Sequence, residues 1–107
     1  MSILIEHIDP DGKVWEIPYF EAEDLDNIAQ EAIFDSEMKS GIFNAIYDSL
    51  VILHQDNVYA VPSFSVNEYI FEINKDNCQE NIETSIRYFE EIEEFEKCAK
   101  LQNLKND

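Results

Sequence analysis

Positive charge is what this chain has least of. Lys and Arg together number 7 against 24 Asp and Glu, a formal net charge of −17 over 107 residues. No fold requires that imbalance: self-repulsion works against the compact state, and solubility needs much less charge. The deficit argues against direct binding to nucleic acid and against docking on anionic lipid, since both call for cations. Glycine and proline are also sparse, at 2 and 3 residues, which leaves little room for long flexible linkers. No apolar run approaches the ~18–20 residues of a membrane span. The N-terminal stretch MSILIEHIDP lacks a basic region and a small-residue cleavage site, which argues against a signal peptide.

Cysteine is limited to Cys78 and Cys98. Placed on one C-terminal helix they would lie ~30 Å apart and could not bond to each other. Two reduced thiols in a cytoplasmic protein is the expectation, with an intermolecular disulfide as the alternative.

Apolar material is not lacking. Hydrophobic residues make up 45% of the chain and aromatics 12%, enough for a packed core, so the chain is not a disordered acidic tail. The length fits a single domain over residues 1–107.

Residues 2–8 alternate and are rich in Ile, and residues 13–19 (KVWEIPY) follow after Asp9-Pro10-Asp11-Gly12. The pattern predicts a β-hairpin, with Pro18 at an edge or a strand end. Residues 21–34 have a helical period through Leu25, Ile28, Ala29, Ala32 and Ile33. After a break over residues 35–41, Ile42, Phe43, Ile46, Tyr47 and Leu50 predict a second, shorter helix. Residues 50–54 and 58–61 read as strands around a Gln55-Asp56-Asn57 turn. Pro62 and Ser63 punctuate, and residues 65–73 (SVNEYIFEI) read as a fifth strand, with Tyr69, Phe71 and Ile73 on one face.

Asn77 with Glu80 suggests a capping box opening a helix that runs to about Leu101. Its apolar arc would hold Ile82, Ile86, Phe89, Ile92, Phe95 and Ala99, with Glu80, Glu83, Glu90, Glu91 and Glu94 opposite. The predicted order is β-β-α-α-β-β-β-α: an α+β fold in which helices cover one face of an antiparallel sheet of about five strands.

Candidate chemistry is thin. His7 and His54 have no Cys or His at zinc-ligand spacing. Asp9-x-Asp11-Gly12 lacks the remaining ligands of a calcium loop, and a hairpin turn accounts for it. There is no P-loop, Rossmann glycine pattern, GxSxG or Cys–His signature. No catalytic residue, metal or cofactor is expected, and the chain does not read as an enzyme. A small hydrolase using paired carboxylates would need a concave site with perturbed carboxyls, for which the sequence gives no sign.

The acidic residues cluster instead. Glu16, Glu21, Glu23, Asp24, Asp26, Glu31, Asp35 and Glu37 form one group, and Glu90, Glu91, Glu93, Glu94 and Glu96 a second. A solvated helix face usually mixes signs, because opposite charges at i,i+4 stabilise and like charges cost a similar amount. Here Glu90–Glu94 would be a like pair, and Glu83 has only Arg87 as a helical partner. Glu93 and Glu96 would fall inside the apolar arc, where an unpaired carboxylate is expensive. The end of the helix is therefore expected to project past the core or to meet a partner.

Helical neighbours lie ~5–6 Å apart, so two adjacent rows give a charge every ~3 Å, against one per ~1.7 Å along duplex DNA. Such a surface fits a Lys- and Arg-lined cleft. Tyr19, Tyr47, Tyr59, Tyr69 and Tyr88 are candidate anchors.

In size, charge and α+β build, with EAEDLDNIAQEAIFDSE and YFEEIEEFEK on presumed helices, the chain resembles the DNA-mimic inhibitors of phages and other mobile elements, among them anti-CRISPR and anti-restriction proteins. The resemblance is one of type, without a shared motif. It implies a stoichiometric, non-catalytic protein that docks the two acidic clusters on a basic nucleic-acid-binding site of a CRISPR effector or restriction enzyme in the host cytoplasm. Glu21, Glu23, Asp24, Asp26, Glu31, Asp35 and Glu37 would form one contact, and Glu90, Glu91, Glu93, Glu94 and Glu96 the other. Immunity proteins that cap a basic nuclease toxin share the same physics and are the alternative. A homodimer is compatible with either.

Overall fold

The structure is a computed structural model in which residues 3–21 and 36–105 are described. It is α+β. Four strands, β1 (Ile3–Ile8), β2 (Val14–Phe20), β3 (Ala60–Val66) and β4 (Tyr69–Asn74), form one sheet in the order β1-β2-β3-β4. Three helices, α1 (Ser36–Gln55), α2 (Cys78–Glu91) and α3 (Phe95–Lys105), complete the described elements. The helix expected over residues 21–34 lies almost wholly outside the described residues.

The first hairpin forms around a side-chain hub. Asp9 Oδ1 accepts hydrogen bonds from the Asp11 and Lys13 amides, both at 2.9 Å, and Oδ2 accepts from the Trp15 indole N–H at 2.9 Å. Gly12 takes the left-handed φ of 87° that closes the turn, a conformation glycine adopts without a Cβ penalty. Lys13 Nζ lies 4.2 Å from the centre of the Trp15 ring. Both Asp9 oxygens are thus engaged by the turn.

The sheet is mixed, not antiparallel. β1–β2 and β3–β4 are antiparallel hairpins, but β2 and β3 run parallel and pair only at Tyr19↔Ser65 and Phe20↔Val66. A parallel pair needs a crossover, and α1 lies within the connection between β2 and β3.

Three further expectations about the sheet are corrected. Residues 50–54 are the last turn of α1, not a strand. The apolar residues Ile42, Ile46, Leu50 and Leu53 continue one helical stripe, all buried, and no breaker interrupts it before Asn57, which turns the chain at φ 49°. Pro62 and Ser63 do not end a strand but sit inside β3, at a register shift between Pro62 and Phe64. Proline is tolerated at such an irregularity, and β2 makes no pair with this part of β3. Residues 65–73 are two strands joined at Asn67-Glu68, where Asn67 takes φ 54°.

The core lies where α1 crosses the sheet and α2 and α3 close over α1. Leu50, Ile82, Phe89, Leu101 and Val66 are fully buried there. Phe43 stacks on Tyr88 with ring centres 4.3 Å apart, and Phe64 stacks on Phe71 at 4.9 Å.

The long C-terminal helix is also corrected. It breaks after Glu91 and restarts at Phe95, so the apolar arc does not run on through Ile92, Phe95 and Ala99. α3 buries Cys98, Leu101 and Leu104 instead. The break removes the single-helix premise for the spacing of Cys78 and Cys98. Both thiols are buried and unbonded, donating to the Lys75 and Ile86 carbonyls at 3.6 Å, and burial pushes the Cys98 thiol up from its ordinary value.

Nor does Asn77 cap α2 through its side chain. Its backbone is in the helical region at φ −109° and ψ −1°, whereas capping geometry needs an extended backbone. Its side chain reaches back to β4 instead, accepting from the Asn74 amide at 2.9 Å and donating to the Glu72 carbonyl at 3.1 Å.

Candidate functional site: an acidic corner between two helices

The break between α2 and α3 is a defined turn. The Glu93 amide donates to the Glu90 carbonyl at 3.1 Å, and the Glu94 amide donates to the Phe89 carbonyl at 2.8 Å. These are the two bonds of a Schellman motif, with Ile92 as C-cap and residue 93 in the left-handed position. That position ordinarily belongs to glycine. Here it is Glu93, at φ 62°.

The turn sets out seven consecutive exposed residues, Glu90, Glu91, Ile92, Glu93, Glu94, Phe95 and Glu96. Five are carboxylates. The other two are large and apolar, Ile92 at 46% and Phe95 at 62% exposure. Local stability does not account for this composition. Glu90 and Glu91 sit at the negative end of the α2 dipole, where cations are favoured, and α2 has no basic residue in its last turn. Glu96, in the first turn of α3, is placed favourably.

The structure therefore brings Glu90, Glu91, Glu93, Glu94 and Glu96 together at one corner, but by a different geometry from that expected. Glu90 and Glu94 are not an i,i+4 helical pair, because the helix ends between them. Glu93 and Glu96 do not enter a buried arc, because the corner carries them into solvent.

Of the other cluster, Glu21 is exposed and close to Tyr19, whose hydroxyl donates to Glu21 Oε1 at 3.3 Å. Glu23, Asp24, Asp26, Glu31 and Asp35 lie outside the described residues. Glu37 falls within α1, and its side chain is outside the described set.

Several of the few cations fold back onto the protein rather than offsetting the corner. Lys97 lies 5.1 Å from the Phe89 ring centre and 5.4 Å from that of Tyr47, and hydrogen-bonds Asn44 Oδ1. Lys105 pairs with Glu83 at 3.3 Å, the one ion pair among the described residues. Among the tyrosines, Tyr88 is not an available anchor, because it is buried against Phe43. Tyr59 and Tyr69 are 57% and 60% exposed, with the Tyr59 hydroxyl held by Asp76 at 2.5 Å.

Sequence reasoning missed one concave feature. Where β2 and β3 splay apart, a cleft of about 910 Å³ opens, lined by His7, Asp9, Lys13, Trp15, Tyr59 and Glu72 among others. No signal along the chain foretells it, because it depends on how far β2 and β3 stay paired. No group of three His, Cys, Asp or Glu among the described residues is arranged to hold a metal ion. No described helix is long and apolar enough to cross a membrane. No protein-family model, curated protein or solved structure matches the chain.

Proposed function

We propose that this protein is a non-catalytic acidic inhibitor that occupies a basic nucleic-acid-binding site on another protein. The observation that carries the reading is the exposed run Glu90–Glu96 on a hydrogen-bonded corner, five carboxylates around two apolar side chains. A rigid turn presents charge with less ordering cost than a loop would. Ile92 and Phe95 supply the desolvated centre that an acidic rim lacks. The native ligand is excluded by competition, with affinity drawn from counterion release on the basic partner. The partner class is a nucleic-acid-processing protein, such as a CRISPR effector, a restriction enzyme or a nuclease toxin.

The test has two stages. The protein is immobilised at low salt, exposed to lysate of its native host and eluted with salt. Each late-eluting protein is then purified and titrated with a duplex, a single-stranded or an RNA oligonucleotide, with and without this protein. The reading predicts a partner whose nucleic-acid binding is displaced one-for-one. Replacing Glu90, Glu91 and Glu94 together by Lys should weaken binding by on the order of tenfold or more. Partners that bind no nucleic acid, or a complex indifferent to competing oligonucleotide and to the triple substitution, would overturn it.

A further inference from the structure

Strand β1 lies at one edge of the sheet and, among the described residues, pairs only with β2. An edge strand offers a row of unpaired N–H and C=O groups spaced for another extended chain. Natural proteins guard such an edge with charged side chains, Lys above all, or with Pro, a bulge or a very short strand. β1 has no Lys, Pro or bulge, and its one acidic side chain is Glu6. Its six residues read ILIEHI, and its register with β2 runs unbroken from Ile3↔Tyr19 to Ile8↔Val14.

The surface beside that edge has a definite chemistry. Side chains alternate across a strand, so Leu4, Glu6 and Ile8 share one face, and the register sets them beside Pro18, Glu16 and Val14. Leu4, Ile8 and Val14 are 56%, 66% and 52% exposed. Glu6 and Glu16 are exposed as well and stand directly opposite each other. Like charges so placed destabilise a hairpin, and no described Lys or Arg pairs with either. The face thus reads apolar, doubly acidic, apolar along its length.

A second copy of the chain fits this edge poorly. With matching faces, the two fullest antiparallel registers of β1 against itself set Glu6 opposite Glu6 of the other copy, or Leu4 opposite Glu6. Both also bring together two chains of net charge −17.

We propose that β1 is a strand-addition site for an extended segment of a partner protein, whose alternate side chains run apolar, Lys or Arg, apolar. Main-chain hydrogen bonds supply the affinity and the alternating pockets the specificity. The central cation would lie against Glu6 and Glu16 and relieve their repulsion. The site is separate from the α2–α3 corner and does not rest on the inhibitor reading.

The probe is a blocked peptide, Thr-Val-Thr-Lys-Thr-Val-Thr, titrated into the isotope-labelled full chain and followed by amide shifts and hydrogen exchange. Saturable shifts and slowed exchange should concentrate in β1. The peptide with Glu for Lys should bind about tenfold more weakly, and Glu6→Lys, an exposed change that leaves Glu16 to offset the new charge, should abolish that preference. A peptide N-methylated on its pairing edge should not bind, and the triple Lys variant of the corner should bind the original peptide as the wild type does. Shifts that bypass β1, equal binding of the Lys and Glu peptides by the wild type, unaltered binding after N-methylation, or a dimer in sedimentation that Glu6→Lys abolishes would each overturn the proposal.

Discussion

At the scale of single residues, the informative positions are those where a side chain sits against local preference. Glu93 is the clearest. A side chain in the left-handed region costs roughly 1–2 kcal/mol relative to a right-handed one, and glycine escapes that cost at the expense of some unfolded-state entropy. Glu93→Gly should therefore raise the unfolding free energy by about 0.5–1 kcal/mol, read as a higher midpoint in thermal unfolding. A lower midpoint would mean that the Glu93 side chain contributes to the fold, which would weaken its assignment to a docking surface.

Asp9 is the opposite case, a residue in agreement with everything around it. The Trp15 indole N–H, first, and the Lys13 amide hold its carboxyl below the ordinary 3.8. A carboxyl lowered in the folded state stabilises above its unfolded value, and that stabilisation is lost as pH falls through the folded value. Asp9→Ala should accordingly unfold more easily than the wild type at neutral pH, with the gap closing as the pH drops below 3.8. Parallel denaturation curves at several pH values check this.

At the scale of elements, the two Glu-rich helix ends respond differently to charge reversal. Lys at residues 90 and 91 would suit the C-terminal dipole of α2, whereas Lys at residue 94 would oppose the N-terminal dipole of α3. The triple variant is thus expected to keep its fold, with unchanged circular dichroism and a midpoint close to that of the wild type, while losing partner binding. A variant that unfolds would make the corner a structural feature.

The elements also show what was readable along the chain. β1 and β2 were legible to within a residue, because Asp-Pro-Asp-Gly sits between two alternating runs. Residues 50–54 were misread because Val51 and Ile52 favour strands, although the stripe through Ile46, Leu50 and Leu53 carries the helix across them. The division of the C-terminal helix was hidden for a different reason. Glycine or proline would have marked the break, and the chain places Glu93 there instead. The acidic residues of the corner were legible by composition; the turn that gathers them was not.

At the scale of the whole molecule, charge dominates. At net charge −17 the compact state is opposed by self-repulsion, with few internal cations to offset it. Screening shortens the reach of that repulsion from ~30 Å at 0.01 M salt to ~8 Å at 0.15 M. The thermal midpoint should therefore rise over that range of sodium chloride, while partner affinity falls. A midpoint indifferent to salt would place the charges too far apart to repel, and the corner would then be too sparse to stand in for a phosphate backbone.

The sequence by itself determined the composition of the surface, the α+β class, the first hairpin and the buried stripe of α1 through Ile42, Phe43, Ile46 and Leu50. These follow from hydropathy period and turn chemistry, which act over a few residues. The tertiary structure alone decided the parallel junction of β2 and β3, the cleft beside it, the place of β1 at one edge of the sheet and the corner at Glu93. Each of these depends on which segments meet across tens of residues. Burial of Phe89 on one side of the break and of Cys98, Leu101 and Leu104 on the other forces the chain to turn between them. That packing outweighs the local cost of a glutamate in a position glycine would fill.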